Sequence, residues 1–141
     1  VSERAGGVQL TDEERIDWLR LIRSANVGPR TFRALVNHFG SAGGALAALP
    51  ELARRGGAEG PVHVCSRADA ERELVSGRTL GVTFVAFREP DYPHRLRMID
   101  DAPPLLAVRG KMAALTVPLV AIVGARNASA AGIKFTERLA R

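Results

Sequence analysis

Cysteine is almost missing from this chain: Cys65 is the only one in 141 residues. A single thiol closes no internal disulfide and supplies no multi-cysteine metal site. In "PVHVCSR" it reads as a buried, inert group. Histidine is sparse as well. His38, His63 and His94 are scattered, and none has a His, Cys or carboxylate neighbour at metal-ligand spacing, so no metal and no cofactor is expected. No Ser-His-Asp arrangement can be assembled, because the nearest acidic and basic groups fall in different elements. No catalytic residue is assigned, and the chain is read as a non-enzyme. Apolar runs stop short of membrane-spanning length, and the opening "VSERAGG" is not a signal peptide. The expectation is a cytoplasmic protein without a membrane partner. Lysine is scarce too, at Lys111 and Lys134 only, so nearly all the positive charge is arginine.

What is present is ordinary for a soluble globular protein: 46% hydrophobic and 25% charged residues. The balance is basic, 20 Lys+Arg against 15 Asp+Glu, with a formal charge of +5. Such a charge favours a polyanionic partner. The first residue is Val1, and the last segment stops inside a helical pattern without a cap. The chain is therefore read as a piece of a longer protein.

The first part of the chain has helical periodicity. Thr11 and Glu14 form a capping-box pattern ahead of a helix from about Asp12 to Ser24. Gly28–Pro29 breaks it and opens a second helix, whose stripe of Phe32, Leu35, Val36 and Phe39 ends at Gly40. "SAGGALAALPELARRGG" reads as two short helical pieces split at Pro50, and "GGAEGP" as a loop. Ser66 and Asp69 start a further helix through about Ser76. The pair around Gly28 resembles a helix-hairpin-helix, but Pro29 has no N–H for a phosphate. Arg20, Arg23, Arg30 and Arg33 form a candidate basic face, and a solvated helix surface has the same pattern.

Near residue 80 the period changes. "VTFVAF" (Val82 to Phe87) has the composition of a buried strand, and "LLAVRG" and "PLVAIVG" are two more strand candidates. Between them, "REPDYPHRLRMIDDAPP" is a loop with a helical turn around His94 to Met98. Tyr92–Pro93 is expected to anchor that loop, and Asp100 or Asp101 to satisfy turn amides. The expected fold class is α+β in two parts. Residues 1–80 make a helix-hairpin-helix-like α bundle, and residues 81–141 the opening of an α/β domain.

The segment "VPLVAIVGARNASAAGIKFTERLAR" carries the functional signal. A strand, a sharp Gly124 and a helix start are how phosphate-binding α/β domains begin. The dinucleotide fingerprint needs a second glycine where this chain has Arg126, and a third where it has Ser129. A Walker A loop fails as well, since Ser129 stands where Gly-Lys-Ser/Thr should follow. Yet the helix start suits an anion: Ser129 can cap it, Gly132 allows close approach, and the unpaired N–H groups favour negative charge. Arg126 adds a five-donor guanidinium. Two readings stay open, a clamp on a backbone phosphate and an arginine salt-bridged to a carboxylate elsewhere in the domain.

Taken in order, these stretches resemble the DNA-processing protein A (DprA/Smf) family. "NVGPRTFRALVNHFGSAGGAL" is similar to the family's N-terminal helical domain. "DYPHRLRMIDDAPPLLAVRG" is similar to its YP-to-glycine segment, and "VAIVGARNASAAG" to its glycine-arginine turn. The resemblance implies a SAM-like helical domain over residues 1–80, the beginning of a Rossmann-like DNA-binding domain over residues 81–141, and a protein of natural transformation and homologous recombination. Such a protein binds single-stranded DNA, protects it and helps load the RecA recombinase, with no known catalytic reaction. It implies a homodimer formed through parts beyond Arg141. The family's turn lies in a basic DNA pocket, which carries over to Gly124, Ala125 and Arg126, with Asn127 and Ser129 beside them. Ala130–Ala131 stand where the family often has a tyrosine. Two alternatives remain at this level: an enzyme like the nucleotide phosphoribohydrolases, and a helical module that docks a protein or duplex DNA.

Overall fold

The chain opens its fold with a helix held at its first turn from both directions. Glu14 N–H donates to Thr11 Oγ1 at 3.2 Å, and Thr11 N–H donates back to the Glu14 carboxylate at 2.8 Å. In this computed structural model, which describes residues 9–57 and 60–141, helix α1 then spans Asp12–Arg23. Helix α2, Pro29–Phe39, begins with its proline in the first turn and ends at Gly40 with φ 78°, a left-handed cap that glycine adopts without strain. Helices α3 (Ala42–Arg55) and α4 (Arg67–Thr79) follow, each capped by a serine, Ser41 and Ser66.

Helix α3 corrects the reading of two pieces split at Pro50, because it runs through that proline unbroken. Ala42, Ala45, Leu46 and Leu49 lie at i, i+3, i+4 and i+7 and are all buried. Their common apolar face offsets a proline cost of about 3 kcal/mol. Helix α4 likewise continues past Ser76 to Thr79.

The core has two clusters, and α1 contributes to both. Trp18 and Leu21 join Phe32, Val36, Ala45, Leu46 and Leu49 between α1, α2 and α3. Ile16 and Leu19 join Cys65, Ala70 and Leu74 on the α4 side. Three ion pairs pin α1 to α4: Asp12–Arg78 at 2.5 Å, Glu13–Arg67 at 2.6 Å and Arg23–Glu73 at 2.6 Å.

Strands β1 (Val82–Ala86) and β2 (Leu105–Arg109) pair antiparallel, with Val82 opposite Arg109 and Ala86 opposite Leu105. Helix α5 (His94–Arg97) lies between them. The hairpin shares the bundle's core. Ala86, wholly buried, belongs to the first cluster, while Phe84 and Leu105 pack on the second. Gly77 of α4 makes room for this, since a Cβ there would sit 2.6 Å from the Phe84 ring. Periodicity changes at residue 80, and packed side chains run across that point.

The intervening loop is anchored as expected by Tyr92, whose hydroxyl donates to the Pro103 carbonyl at 2.8 Å. The Asp100 and Asp101 side chains cap no turn amide among the described residues. The loop is held instead by its carbonyls, since Arg33 Nη1 and Nη2 donate to Asp100 O at 2.6 Å and Ala102 O at 3.1 Å.

After a 3-10 turn at Met112–Leu115, the third strand expectation fails. Leu119 to Val123 is not a strand but an exposed run, with Val120 88% and Val123 92% accessible. An extended run becomes a strand only through a hydrogen-bonded neighbour, and among the described residues no strand lies beside it. Helix α6 (Ala130–Leu139) ends the chain with no buried residue. The architecture is α+β, a helical N-terminal domain followed by a small antiparallel sheet. Among the described residues no helix is long and apolar enough to cross a membrane.

Candidate nucleic-acid interface

Cations are distributed unevenly between the two parts of the chain. Residues 1–81 carry 11 arginines against 10 acidic residues, and residues 82–141 carry 9 basic residues against 5 acidic ones. Pairing sharpens the contrast. In the helical part Arg15, Arg20, Arg23, Arg54, Arg55, Arg67, Arg72 and Arg78 each reach a carboxylate. From residue 82 onward no Lys or Arg forms an ion pair among the described residues. Positive potential is therefore weighted toward the part beyond the bundle, whose cations form no ion pair among the described residues.

The candidate basic face on the helices is largely spent on structure. Arg23 makes a bidentate pair with Glu73, its Nε at 3.0 Å and its Nη2 at 2.6 Å from the two oxygens. Arg20 Nε donates to the Cys65 carbonyl at 3.1 Å. Arg33 holds the Asp100–Ala102 backbone, and its guanidinium lies 4.6 Å from the Phe87 ring centre. Of the four, Arg30 alone has no ion pair or side-chain hydrogen bond among the described residues. Arginine count along a helix does not distinguish a phosphate-binding face from a set of internal ties, so the sequence could not separate them.

The residues singled out in the sequence lie together on one turn. Gly124, Ala125, Arg126, Asn127 and Ser129 are all exposed, with the chain bending at Arg126 and Asn127 just before α6. Ser129 is the N-cap: φ −66° and ψ 155° put it in extended backbone, and its Oγ accepts from Gly132 N–H at 3.2 Å. That cap satisfies one of the first-turn amides and leaves the rest facing outward. The turn thus combines helix N–H donors, the positive end of the helix dipole and an exposed guanidinium without an ion pair among the described residues. Donors of this kind suit a phosphate or another oxyanion. Arg126 does not stand at the end of a hydrogen-bonded central strand, because the run before it is unpaired.

One functional-looking group was invisible in the sequence. Glu89 is 4% exposed and accepts from Leu10 N–H at 3.0 Å and from Ala86 N–H at 2.7 Å, while pairing with Arg15. Nothing in "FREPDY" marks this glutamate as interior, since its partners lie up to 79 residues away. The role is architectural, fastening α1 to the end of β1. Among the described residues no group of three or more His, Cys, Asp and Glu converges as a metal site.

Comparison with known proteins divides the chain in the same order. Residues 12–76 match the family model described as the DprA-like N-terminal HHH domain. Residues 83–141 match the model described as DNA recombination-mediator protein A. No curated protein matches the chain. The second match contains nearly all of both strands, the Gly124–Ser129 turn and the cations without ion pairs among the described residues, and the first contains most of the bundle, where every arginine but Arg30 is tied to a carboxylate or a backbone carbonyl. With both models found in order over nearly its whole length, the chain belongs to the DNA-processing protein A (DprA/Smf) family of DNA recombination mediators.

Proposed function

We propose that this protein binds single-stranded DNA through the turn Gly124–Ser129, protects the strand during natural transformation and recombination, and presents it to the RecA recombinase. The observation that carries the reading is the exposed Arg126 beside a serine-capped helix N-terminus, in the part of the chain whose cations form no ion pair among the described residues. Backbone phosphates are the anions that such a turn fits, because it offers helix N–H donors and a guanidinium. The failed dinucleotide and Walker fingerprints support a binding role without nucleotide turnover. A homodimer assembled through regions beyond Arg141, and a cytoplasmic site of action, belong to the same proposal.

The test is direct binding of a fluorescent single-stranded oligonucleotide, followed by anisotropy at increasing salt. Neutralising several phosphates releases counterions, so affinity should fall steeply between about 50 and 200 mM salt with little dependence on base sequence. Salt-independent binding, a strong preference for duplex, or nucleotide hydrolysis by a clean preparation would each count against this function.

A further inference from the structure

One side chain departs from the pattern of the other aromatics. Every Phe, Trp and Tyr of the chain is buried or half-buried except Phe135, which is 64% exposed on α6. Its surroundings on that helix are basic. At 3.6 residues per turn, Lys134 and Arg138 lie one above the other at i, i+4, and Phe135 stands beside Arg138 at i, i+3. Both cations are exposed, and neither has an ion pair or a side-chain hydrogen bond among the described residues. Glu137, the one acid of α6, falls on the side of Lys134 away from Phe135 and pairs with neither cation. Gly132, Thr136 and Leu139 lie on the side opposite Lys134, which leaves Phe135 at the border of the basic face.

An open aromatic ring between two cations without ion pairs suits a ligand that is planar and anionic by turns. A single strand of nucleic acid has that alternation, with a phosphate at every step and an accessible π-face on every base. A duplex does not, because its base faces are closed within the stack. Four helical residues advance about 6 Å along the axis, on the scale of one extended nucleotide, so Lys134 and Arg138 can meet neighbouring phosphates. The turn at Arg126 leads directly into this helix, which makes the two sets of donors continuous along the chain. We infer that a bound strand runs on from the Gly124–Ser129 turn along α6, with a base stacked on Phe135 and the flanking phosphates on Lys134 and Arg138. The inference rests on the proposed single-strand function and adds to it a base contact that a phosphate turn alone does not make. Stacking is sequence-tolerant, so the contact holds a base without reading it.

Two labelled probes of equal length, an oligodeoxythymidylate and its abasic counterpart, are titrated into the full chain and followed by anisotropy. The thymidylate should bind the more tightly. Phe135→Ala should weaken thymidylate binding roughly five- to a hundredfold and leave the abasic strand unaffected. Phe135→Tyr should keep most of the affinity, because it keeps the ring. Lys134→Gln combined with Arg138→Gln should weaken both probes. It should also reduce the slope of log affinity against log salt by about 1.4, at about 0.7 for each phosphate of a single strand. Equal affinity of the unaltered chain for the two probes overturns the base contact, as does a Phe135→Ala effect that is absent or shared by both. An unchanged salt slope shows cations that touch no phosphate and overturns the track along α6. Each of these results leaves single-strand binding at the turn standing. Binding of neither probe by the unaltered chain defeats the proposed function and this inference together.

Discussion

Arg15 on α1 and Glu89 after β1 form an ion pair whose side chains are only 15% and 6% exposed. The glutamate also receives the backbone N–H groups of Leu10 and Ala86, so one carboxylate fastens the start of the bundle to the end of the first strand. Truncating Glu89 leaves the shielded Arg15 guanidinium with only a 3.7 Å contact to Asp12 and two backbone N–H groups without their acceptor. Glu89→Ala should therefore destabilise the protein by about 3–5 kcal/mol. Glu89→Gln should cost less, because its amide oxygen can still accept from a backbone N–H. Urea unfolding of the two variants checks the order; equal and small losses would mean that Glu89 is not a fastening point.

Arg126 should behave in the opposite way. It is exposed and has no ion pair among the described residues, so Arg126→Ala should leave the melting temperature unchanged. A charged hydrogen bond to phosphate is worth roughly 1.5–3 kcal/mol, which lowers single-strand affinity on the order of ten- to a hundredfold. Arg126→Lys should recover part of this, since an ammonium keeps the charge and loses the planar fork. Melting and anisotropy on the same samples decide. A variant that melts lower and binds normally would make Arg126 a structural residue.

Acid should loosen the junction between α1 and α4. Arg78 holds the Asp12 carboxyl below its ordinary value, Arg67 does the same for Glu13, and the Ser66 hydroxyl for Asp69. Carboxylates depressed on folding stabilise the protein above their unfolded pKa values, and that contribution disappears as pH falls through the folded values. Melting temperature should be nearly level above about pH 5 and should decline below it. Asp12→Asn should flatten this acid limb. A decline already under way at neutral pH would assign acid sensitivity to other groups.

Cys65 offers an independent measure of bundle opening. Burial pushes its thiol above the ordinary range, and the nearby Asp69 and Glu73 charges act the same way. A thiol reagent at mildly alkaline pH should react with the folded protein at least about a hundredfold more slowly than with urea-unfolded chain, because reaction waits for an opening event. Comparable rates would show that the α4 side of the core is open in solution.

The sequence was most legible where signals are local. The Thr11–Glu14 capping box, the Gly40 stop, the Ser66 and Ser129 caps and the Tyr92 anchor all depend on residues within a few positions, apart from the last, which reaches Pro103. It was least legible where the outcome rests on distant partners. Pro50 looked like a break because the buried face that sustains α3 is a tertiary property. Leu119 to Val123 looked like a strand because composition cannot say whether a neighbouring strand is present. The helical arginines looked available for phosphate because their acceptors, Glu73 and the carbonyls of Cys65, Asp100 and Ala102, lie in other elements. The candidate turn itself was located by glycine and serine spacing, which is local again.

The bond from Leu10 N–H to Glu89 joins residues 79 positions apart, and it gives the bundle a timetable. At about 5–20 residues per second, a ribosome adds Glu89 roughly 4–16 s after Leu10. The four helices are completed within that interval, before the Glu89 fastening and before Ala86 can finish the first core cluster. The nascent bundle therefore waits with an apolar flank uncovered, and a pause in translation before residue 89 prolongs its exposure to chaperones and proteases.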